Sequence, residues 1–261
     1  MTRSHKATAV RADVPSVRFL VAVYALVVMQ LTNWRWSWPQ MLLTGFLAPV
    51  MTSLGLGLYA GSSNIAGATT YVVSGSITLA VMFETMGRVA SNFAFMKQMG
   101  TIVYLSSFPI RSTALMLSSM VSFGLLALPA VLVTSVVSAP LVGVVLDVSW
   151  YLLPLLALVM LPFVALGAMI GSLSRSLEEA SSLTLAITVL MTGLGPIVIH
   201  PDLLPSWLVA VGRFNPATYA SEIVRAVLFG SSPSLWFAVL VISAVGCVAI
   251  GVASFAMRWR R

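Results

Sequence analysis

The most constraining feature of this chain is a series of apolar runs, each about 20 residues long, separated by short polar or Gly- and Pro-containing breaks. An α-helix needs about that many residues to cross the hydrocarbon core of a bilayer. The chain has 261 residues, of which 59% are hydrophobic and 8% charged, whereas soluble domains carry about 25% charged residues. The sequence therefore predicts an all-α, polytopic integral membrane protein.

Six of these runs are predicted to be transmembrane helices of a single domain that covers residues 1–261. The predicted spans are residues 41–60, 71–90, 113–137, 150–173, 181–199 and 235–257. Glycines four residues apart, at Gly57/Gly61 and Gly167/Gly171, predict places where helix backbones approach closely. The longest breaks are 91–112 and 200–234, and both are candidates for functional segments.

A shorter apolar run, Phe19–Leu31, precedes the first span. It is flanked by Arg18 and Arg35, and tryptophans follow, as is typical of the headgroup region. We predict that region 16–38 contains a helix lying in the cytoplasmic interface. The alternative is a true first span extended to about residue 36. It would give seven spans and would remove the asymmetry of Lys and Arg residues between the two sides of the membrane.

The distribution of basic residues predicts the orientation. If the N-terminus is cytoplasmic, all of the 14 Lys and Arg residues except Arg213 and Arg225 lie on the cytoplasmic side, as the positive-inside rule requires. An even number of spans then places both termini in the cytoplasm.

Catalytic and cofactor motifs do not occur in the sequence. The two lysines, Lys6 and Lys97, do not end a phosphate-binding loop, so the chain is not predicted to hydrolyse ATP itself. The single cysteine and the two histidines form no metal-ligand pattern. The charges lie at the ends of apolar runs rather than on a basic soluble face, which argues against nucleic acid. Transport is the function class that remains, and we expect neither an enzyme nor a metal site.

One acidic residue, Glu84, lies well inside a predicted span, with Arg88 one helical turn further along. Ionisable residues inside membranes are functional candidates, so the pair could line a substrate pathway or act in gating. Alternatively, the two side chains simply neutralise each other, because Glu followed by a basic residue at i+4 is a favourable pair.

Both long breaks are amphipathic rather than simply polar. Segment 91–112 could form a short helix that exposes an apolar edge to a soluble partner, or one that rests on lipid, and the sequence leaves both open. Segment 200–234 holds two apolar stretches broken at Asn215-Pro216, which predicts outer re-entrant or interfacial helices. Glu222 and Arg225 are three residues apart and could pair.

Three stretches together resemble the permease subunits of ABC-2 type ABC exporters, the group that includes daunorubicin-type drug exporters and polysaccharide exporters. The resemblance covers about residues 16–257, and its motifs agree in order and spacing. The matching stretches are Phe46-Leu47-Ala48-Pro49, Gly100-Thr101 followed by Leu105 to Arg111, and Asn215-Pro216-Ala217-Thr218-Tyr219 followed by Arg225.

The resemblance implies roles for the segments around these motifs. Residues 16–38 would be an elbow helix, and a coupling helix would dock on a separate ATPase subunit that binds ATP and Mg. The implied coupling residues are Phe95, Met96, Lys97, Gln98, Met99, Gly100 and Thr101. The implied outer gate residues are Asn215, Pro216, Tyr219, Glu222 and Arg225. Members often carry an acidic residue just before the Gly-Thr step, where this chain has Lys97-Gln98-Met99.

The resemblance further implies an ATP-driven exporter with two permease protomers, identical or homologous, in a bacterial plasma membrane. The expected cargo is amphipathic or apolar, such as a drug, a lipid or a lipid-linked glycan. An ATP-independent secondary transporter or channel that uses Glu84 is the alternative. A lipid-modifying enzyme is disfavoured, because the chain lacks an aspartate-rich cluster.

Overall fold

The computed structural model describes residues 19–33, 43–62, 65, 67–108, 112–147, 149–230 and 234–256. All regular structure in these residues is helical, which confirms the all-α prediction. The helices are α1 (Phe19–Asn33), α2 (Ala48–Ser62), α3 (Ala68–Met82), α4 (Arg88–Gln98), α5 (Thr101–Ser106), α6 (Ser112–Leu141), α7 (Leu152–Leu173), α8 (Leu177–Gly193), α9 (Ser206–Gly212), α10 (Pro216–Phe229) and α11 (Leu235–Ala256). A π-helical turn, Leu43–Leu47, leads into α2, and a second one, Phe83–Gly87, joins α3 to α4.

Four helical stretches in the described part of the chain are long and apolar enough to cross a membrane. They are Ala68–Gln98, Thr113–Leu141, Leu152–Leu173 and Leu235–Ala253. The other two predicted spans correspond to α2, which has 15 residues and continues the first π turn, and to α8, which has 17. Helix α1 has 15 residues, or about 22 Å, which is less than the roughly 30 Å hydrocarbon core. Residues 16–18 and 34–38 of the predicted interfacial region lie outside the described residues, so the interfacial helix stays a prediction.

Helix α1 packs along α6 through one face. Ala22, Leu26 and Gln30 recur every fourth residue and are buried, whereas Leu20 and Tyr24 point away and are exposed. The amide of Gln30 donates hydrogen bonds to the hydroxyls of Ser118 (3.1 Å) and Ser119 (3.2 Å) on α6. Helix α1 is therefore fixed to the bundle by a polar contact as well as by apolar packing.

The continuous helix Ala68–Gln98 is the centre of the molecule. Over its most apolar stretch 78% of the residues are buried, compared with 17% for α11. It contacts α2, α6, α7, α8 and α10. Its 31 residues extend about 46 Å at 1.5 Å per residue, so this one element connects the two ends of the bundle.

Two of the predicted boundaries need correction. Residues 91–98, predicted as the start of a loop, continue the helix to Gln98, because Phe93, Ala94 and Met96 give them a buried apolar face. The helix ends at Gln98, and Gly100, whose φ of 70° lies in the left-handed region, forms the turn that follows.

The other correction concerns the span predicted at 181–199. Helix α8 begins at Leu177, because the hydroxyl of Ser176 accepts a hydrogen bond from the Glu179 amide and caps the helix. It ends at Gly193, and residues 194–199 form bends. The end coincides with the segment Gly193-Leu194-Gly195-Pro196, in which glycine and proline disfavour a helix.

Candidate functional sites along the central helix

The end of the bundle at residues 95–108 and 172–179, here called the Lys97 end, exposes apolar side chains. Met99 is 64% exposed, and Val103 on α5 is 74% exposed. Helix α5 is anchored by Leu105, which is buried in a hydrophobic cluster with Phe93 and Met96. Further exposed apolar side chains here are Phe95, Tyr104 and Phe108. The Lys97 end therefore presents an apolar surface on a short helix that is anchored in the core.

The ammonium group of Lys97 turns towards the bundle rather than outward. Its Nζ donates hydrogen bonds to the backbone oxygens of Ser172 (2.9 Å) and Ser174 (2.8 Å) at the end of α7. Carbonyl groups at a helix C-terminus lack partners within the helix and carry partial negative charge, so a lysine there is favourable. Lys97 thus ties the end of α4 to the end of α7.

The predicted coupling residues fall into three environments. Phe95, Gln98 and Met99 are exposed, and Met96 is buried. Gly100 forms the turn between the helices, and Thr101 begins α5. The loop that follows α7 lies beside them, because Lys97 reaches Ser174. This loop was not among the predicted site residues, although Ser176 and Glu179 have the spacing of a helix-capping motif.

The Glu84–Arg88 pair predicted from i,i+4 spacing forms in the structure. Arg88 Nη2 donates to Glu84 Oε1 at 2.7 Å, and the two groups form an ion pair. The side chain of Glu84 is fully buried, and that of Arg88 is 10% exposed. A buried charge without a partner costs several kcal/mol, so the two residues stabilise each other. The two charged groups thus form a largely buried ion pair inside the bundle.

Glycines allow the neighbouring helices to approach the second π turn. A β-carbon at Gly45 would lie 2.7 Å from Cδ of Glu84, and one at Gly167 would lie 3.1 Å from Cα of Met86. Gly171 faces Ala90 in the same way, whereas Gly61 has no neighbour within 4 Å. The Gly167/Gly171 pattern thus marks a close contact of α7 with the central helix, and Gly61 does not mark one.

At the other end, here called the Arg225 end, charged and polar side chains are buried between helices. Arg225 on α10 is 8% exposed. Its Cζ lies 3.4 Å from the centroid of the Tyr71 ring on α3, and its Nε donates to the hydroxyl of Ser74 at 3.2 Å. The Tyr71 ring also packs edge-on against His200, with 4.7 Å between centroids. A cation over an aromatic face is attracted by the ring, more strongly where water is excluded.

The remaining predicted gate residues organise the start of α10. The side chain of Asn215 accepts a hydrogen bond from the Ala217 amide and caps the helix, and its amide group donates to the oxygen of Leu194 at 3.1 Å. Pro216 occupies the first helical turn, where a missing N–H is tolerated. The hydroxyl of Tyr219 donates to the oxygen of Arg213 at 2.8 Å.

Glu222 and Arg225, predicted as a candidate pair, interact electrostatically on α10, and each has a further contact. Glu222 accepts a hydrogen bond from the hydroxyl of Ser234. The ring contact and the hydrogen bond of Arg225 both go to α3. Tyr71 and Ser74 were missed as site residues, because sequence spacing gives no sign that they meet Arg225, which is 151 positions from Ser74.

Comparison with known protein families identifies the fold that carries these features. Residues 22–229 match the model of the ABC-2 type transporter family. The chain belongs to the ABC-2 type transporter family. The ABC-2 domain is a membrane permease that works with an ABC ATPase subunit and contains no ATPase domain of its own. Among the described residues, no group of three or more His, Cys, Asp or Glu side chains could hold a metal ion. A search of curated proteins finds no match.

Proposed function

We propose that this chain is the permease subunit of an ATP-driven exporter and that its Lys97 end docks on the ATPase. The observation that carries the proposal is the apolar surface on α5 and the adjacent turn, linked directly to the central helix that reaches the Arg225 end. Movement of a docked ATPase would be transmitted along this helix as a rigid-body shift, a known mode of domain closure.

The proposed orientation follows the basic residues. The Lys97 end and both termini face the cytoplasm of a bacterial cell, and α9 and α10 form the re-entrant segment on the outer side of the plasma membrane. Two protomers, identical or homologous, would enclose the pathway. The Arg225 end supports a gating role, because its buried contacts join α10 to α3 and to the end of α8.

The proposed cargo is amphipathic or apolar: a drug or antibiotic, a lipid, or a lipid-linked glycan. The low charge of the spans supports this class. In the span Ala68–Gln98 the acidic residue Glu84 is neutralised by Arg88. The same contact disfavours the ATP-independent alternative, because an ion or proton site at Glu84 would first have to break a buried ion pair.

Copurification of the ATPase with two matched variants tests the docking surface. Val103 and Val145 are 74% and 85% exposed and lie at opposite ends of the bundle. We expect Val103→Asp to reduce the amount of ATPase recovered with the tagged chain at least tenfold, because a desolvated charge is costly in an apolar interface. Val145→Asp should leave recovery unchanged.

Equal recovery with Val103→Asp and Val145→Asp would contradict the assigned docking surface. Absence of any ATPase from the parent preparation, combined with transport that needs no ATP, would favour the secondary-transporter alternative. Stimulation of the ATPase by drugs, lipids or lipid-linked glycans in the purified complex would then distinguish the cargo classes.

A further inference from the structure

The two π-helical turns that the structure describes lie against each other. The turn Leu43–Leu47 precedes α2, the turn Phe83–Gly87 interrupts the central helix, and the two are in contact. A π turn holds one extra residue compared with an α-helical turn, and such turns are uncommon and often occur at functional sites. Where the two turns meet, both segments have π-helical geometry, whereas the helices that continue from them are α-helical.

Glycine faces the second π turn from two sides. On one side, a β-carbon at Gly45 would overlap the carboxylate of Glu84, at 2.7 Å from its Cδ. On the other side, a β-carbon at Gly167 would lie 3.1 Å from Cα of Met86. Side chains that interlock resist sliding, whereas backbone surfaces without side chains permit close approach. At these two contacts the neighbouring segments present glycine backbone, and no side chain, to the second π turn.

Two hydrophobic cores meet along this part of the central helix, on different faces of it. Met86 and Ala90 belong to the core that includes Val227 and Leu228 at the Arg225 end. Val89 and Phe93 belong to the core at the Lys97 end. The ion pair of Glu84 and Arg88 lies beside these residues in the chain. The central helix thus contributes different faces to two cores at this point.

A small change in the geometry of the second π turn produces a larger displacement at the Lys97 end. Gain or loss of one residue in a helical turn changes the phase of the following helix by about 100° and its length by about 1.5 Å. Helix α4 carries the motion to Lys97, which is tied to α7, and to the exposed surface of α5. In the other direction, α3 reaches Arg225 through Tyr71 and Ser74.

We propose that Gly45 and Glu84 are positioning residues of a pivot at which α4 changes its angle relative to α2 during the transport cycle. The carboxylate of Glu84, held by Arg88, rests on the backbone of Gly45 and moves across it. The coupling part of this inference rests on the proposed function, whereas the mobility of the pivot belongs to this chain alone.

Gly45→Ala tests the pivot, with Gly55→Ala as the matched control. Gly55 lies nearby in α2 and has no atom within 4 Å of a β-carbon. In the purified ATPase complex, we expect Gly45→Ala to keep ATP hydrolysis within about threefold of the parent and to lower the amount of cargo moved per ATP at least tenfold. Gly55→Ala should behave like the parent.

Rescue separates a positioning role from a merely structural one. Glu84→Asp shortens the side chain by one methylene and keeps the charge for Arg88. In the Gly45→Ala background it should restore at least half of the lost coupling, because it withdraws the carboxylate from the added methyl group. A normal coupling ratio with Gly45→Ala, or a loss that Glu84→Asp does not reduce, would overturn the pivot.

Hydrogen–deuterium exchange on the chain alone gives an independent result if ATP coupling itself fails. We expect amides of residues 83–87 to exchange at least tenfold more slowly in Gly45→Ala than in the parent, and Gly45→Ala/Glu84→Asp to return to the parent rate. Unchanged exchange in Gly45→Ala would contradict the pivot whether or not the chain works with an ATPase.

Discussion

The two ends of the central helix differ in how they are held. At the Arg225 end, buried polar side chains join helices: Arg225 reaches α3, and Asn215 reaches the end of α8. At the Lys97 end, a part-exposed lysine ties α4 to α7, and apolar side chains of α5 remain exposed. The comparison teaches that the polar contacts that join helices are more deeply buried at the Arg225 end than at the Lys97 end, whereas apolar side chains are exposed at both, as Val145 and Val103 show.

The largest effect is expected at the Arg225 end. Arg225→Ala should lower the free energy of unfolding by about 2–4 kcal/mol, because it removes a desolvated ring contact and a hydrogen bond and leaves a cavity. Thermal unfolding in detergent measures the change. Arg213→Ala provides the control, since Arg213 is exposed at the same end. Similar melting temperatures for the two variants would remove the main difference between the ends.

Asn215→Ala should have the next largest effect. The variant loses the cap of α10 and the hydrogen bond to Leu194, and loss of a cap costs about 1 kcal/mol. We expect a total of about 2 kcal/mol, together with proteolysis near residues 194–215 that is faster than in the parent. Asn92→Ala, on α4 towards the Lys97 end, is the matched control. A loss of unfolding free energy as large as that of Asn215→Ala would contradict the proposed difference between the two ends.

Lys97→Ala should have the smallest effect on stability and a clear effect on coupling. The ammonium is part-exposed, so its loss should cost less than about 1 kcal/mol. Coupled transport should fall several-fold, because the end of α4 is released from α7. Lys97→Arg should retain most of the activity, as it keeps a donor in reach of the carbonyls. If Lys97→Ala destabilises the chain more than Asn215→Ala, the claim that contacts at the Lys97 end contribute less to stability than those at the Arg225 end is wrong.

Local patterns predicted the parts of this molecule that depend on neighbouring residues. The fold class followed from the apolar runs and the Glu84–Arg88 pair from i,i+4 spacing, whereas the span predicted at 181–199 ran past the end of α8 at Gly193. The predicted coupling loop began too early, because Ser91 and Asn92 appear polar in sequence although the next residues bury an apolar face against α7.

Contacts between distant segments could not be predicted in this way. The partners of Arg225 lie 151 residues away at Ser74 and further at Tyr71. The carbonyls that accept from Lys97 belong to α7, 75 residues along the chain. The π turns also left no signal in the sequence, because Leu43–Leu47 and Phe83–Gly87 share only threonine, glycine and phenylalanine, each at a different position. These features depend on packing that is set by the whole bundle.

Protection of single cysteines by the ATPase is the most direct test that the Lys97 end is the docking surface. Met99→Cys and Trp207→Cys, in a Cys247→Ser background, place a thiol at sites that are 64% and 61% exposed in the parent. An impermeant maleimide is applied to the purified permease with and without its ATPase. We predict that the ATPase slows labelling at position 99 at least tenfold and leaves position 207 unchanged. Equal labelling at position 99 with and without the bound ATPase would contradict the account.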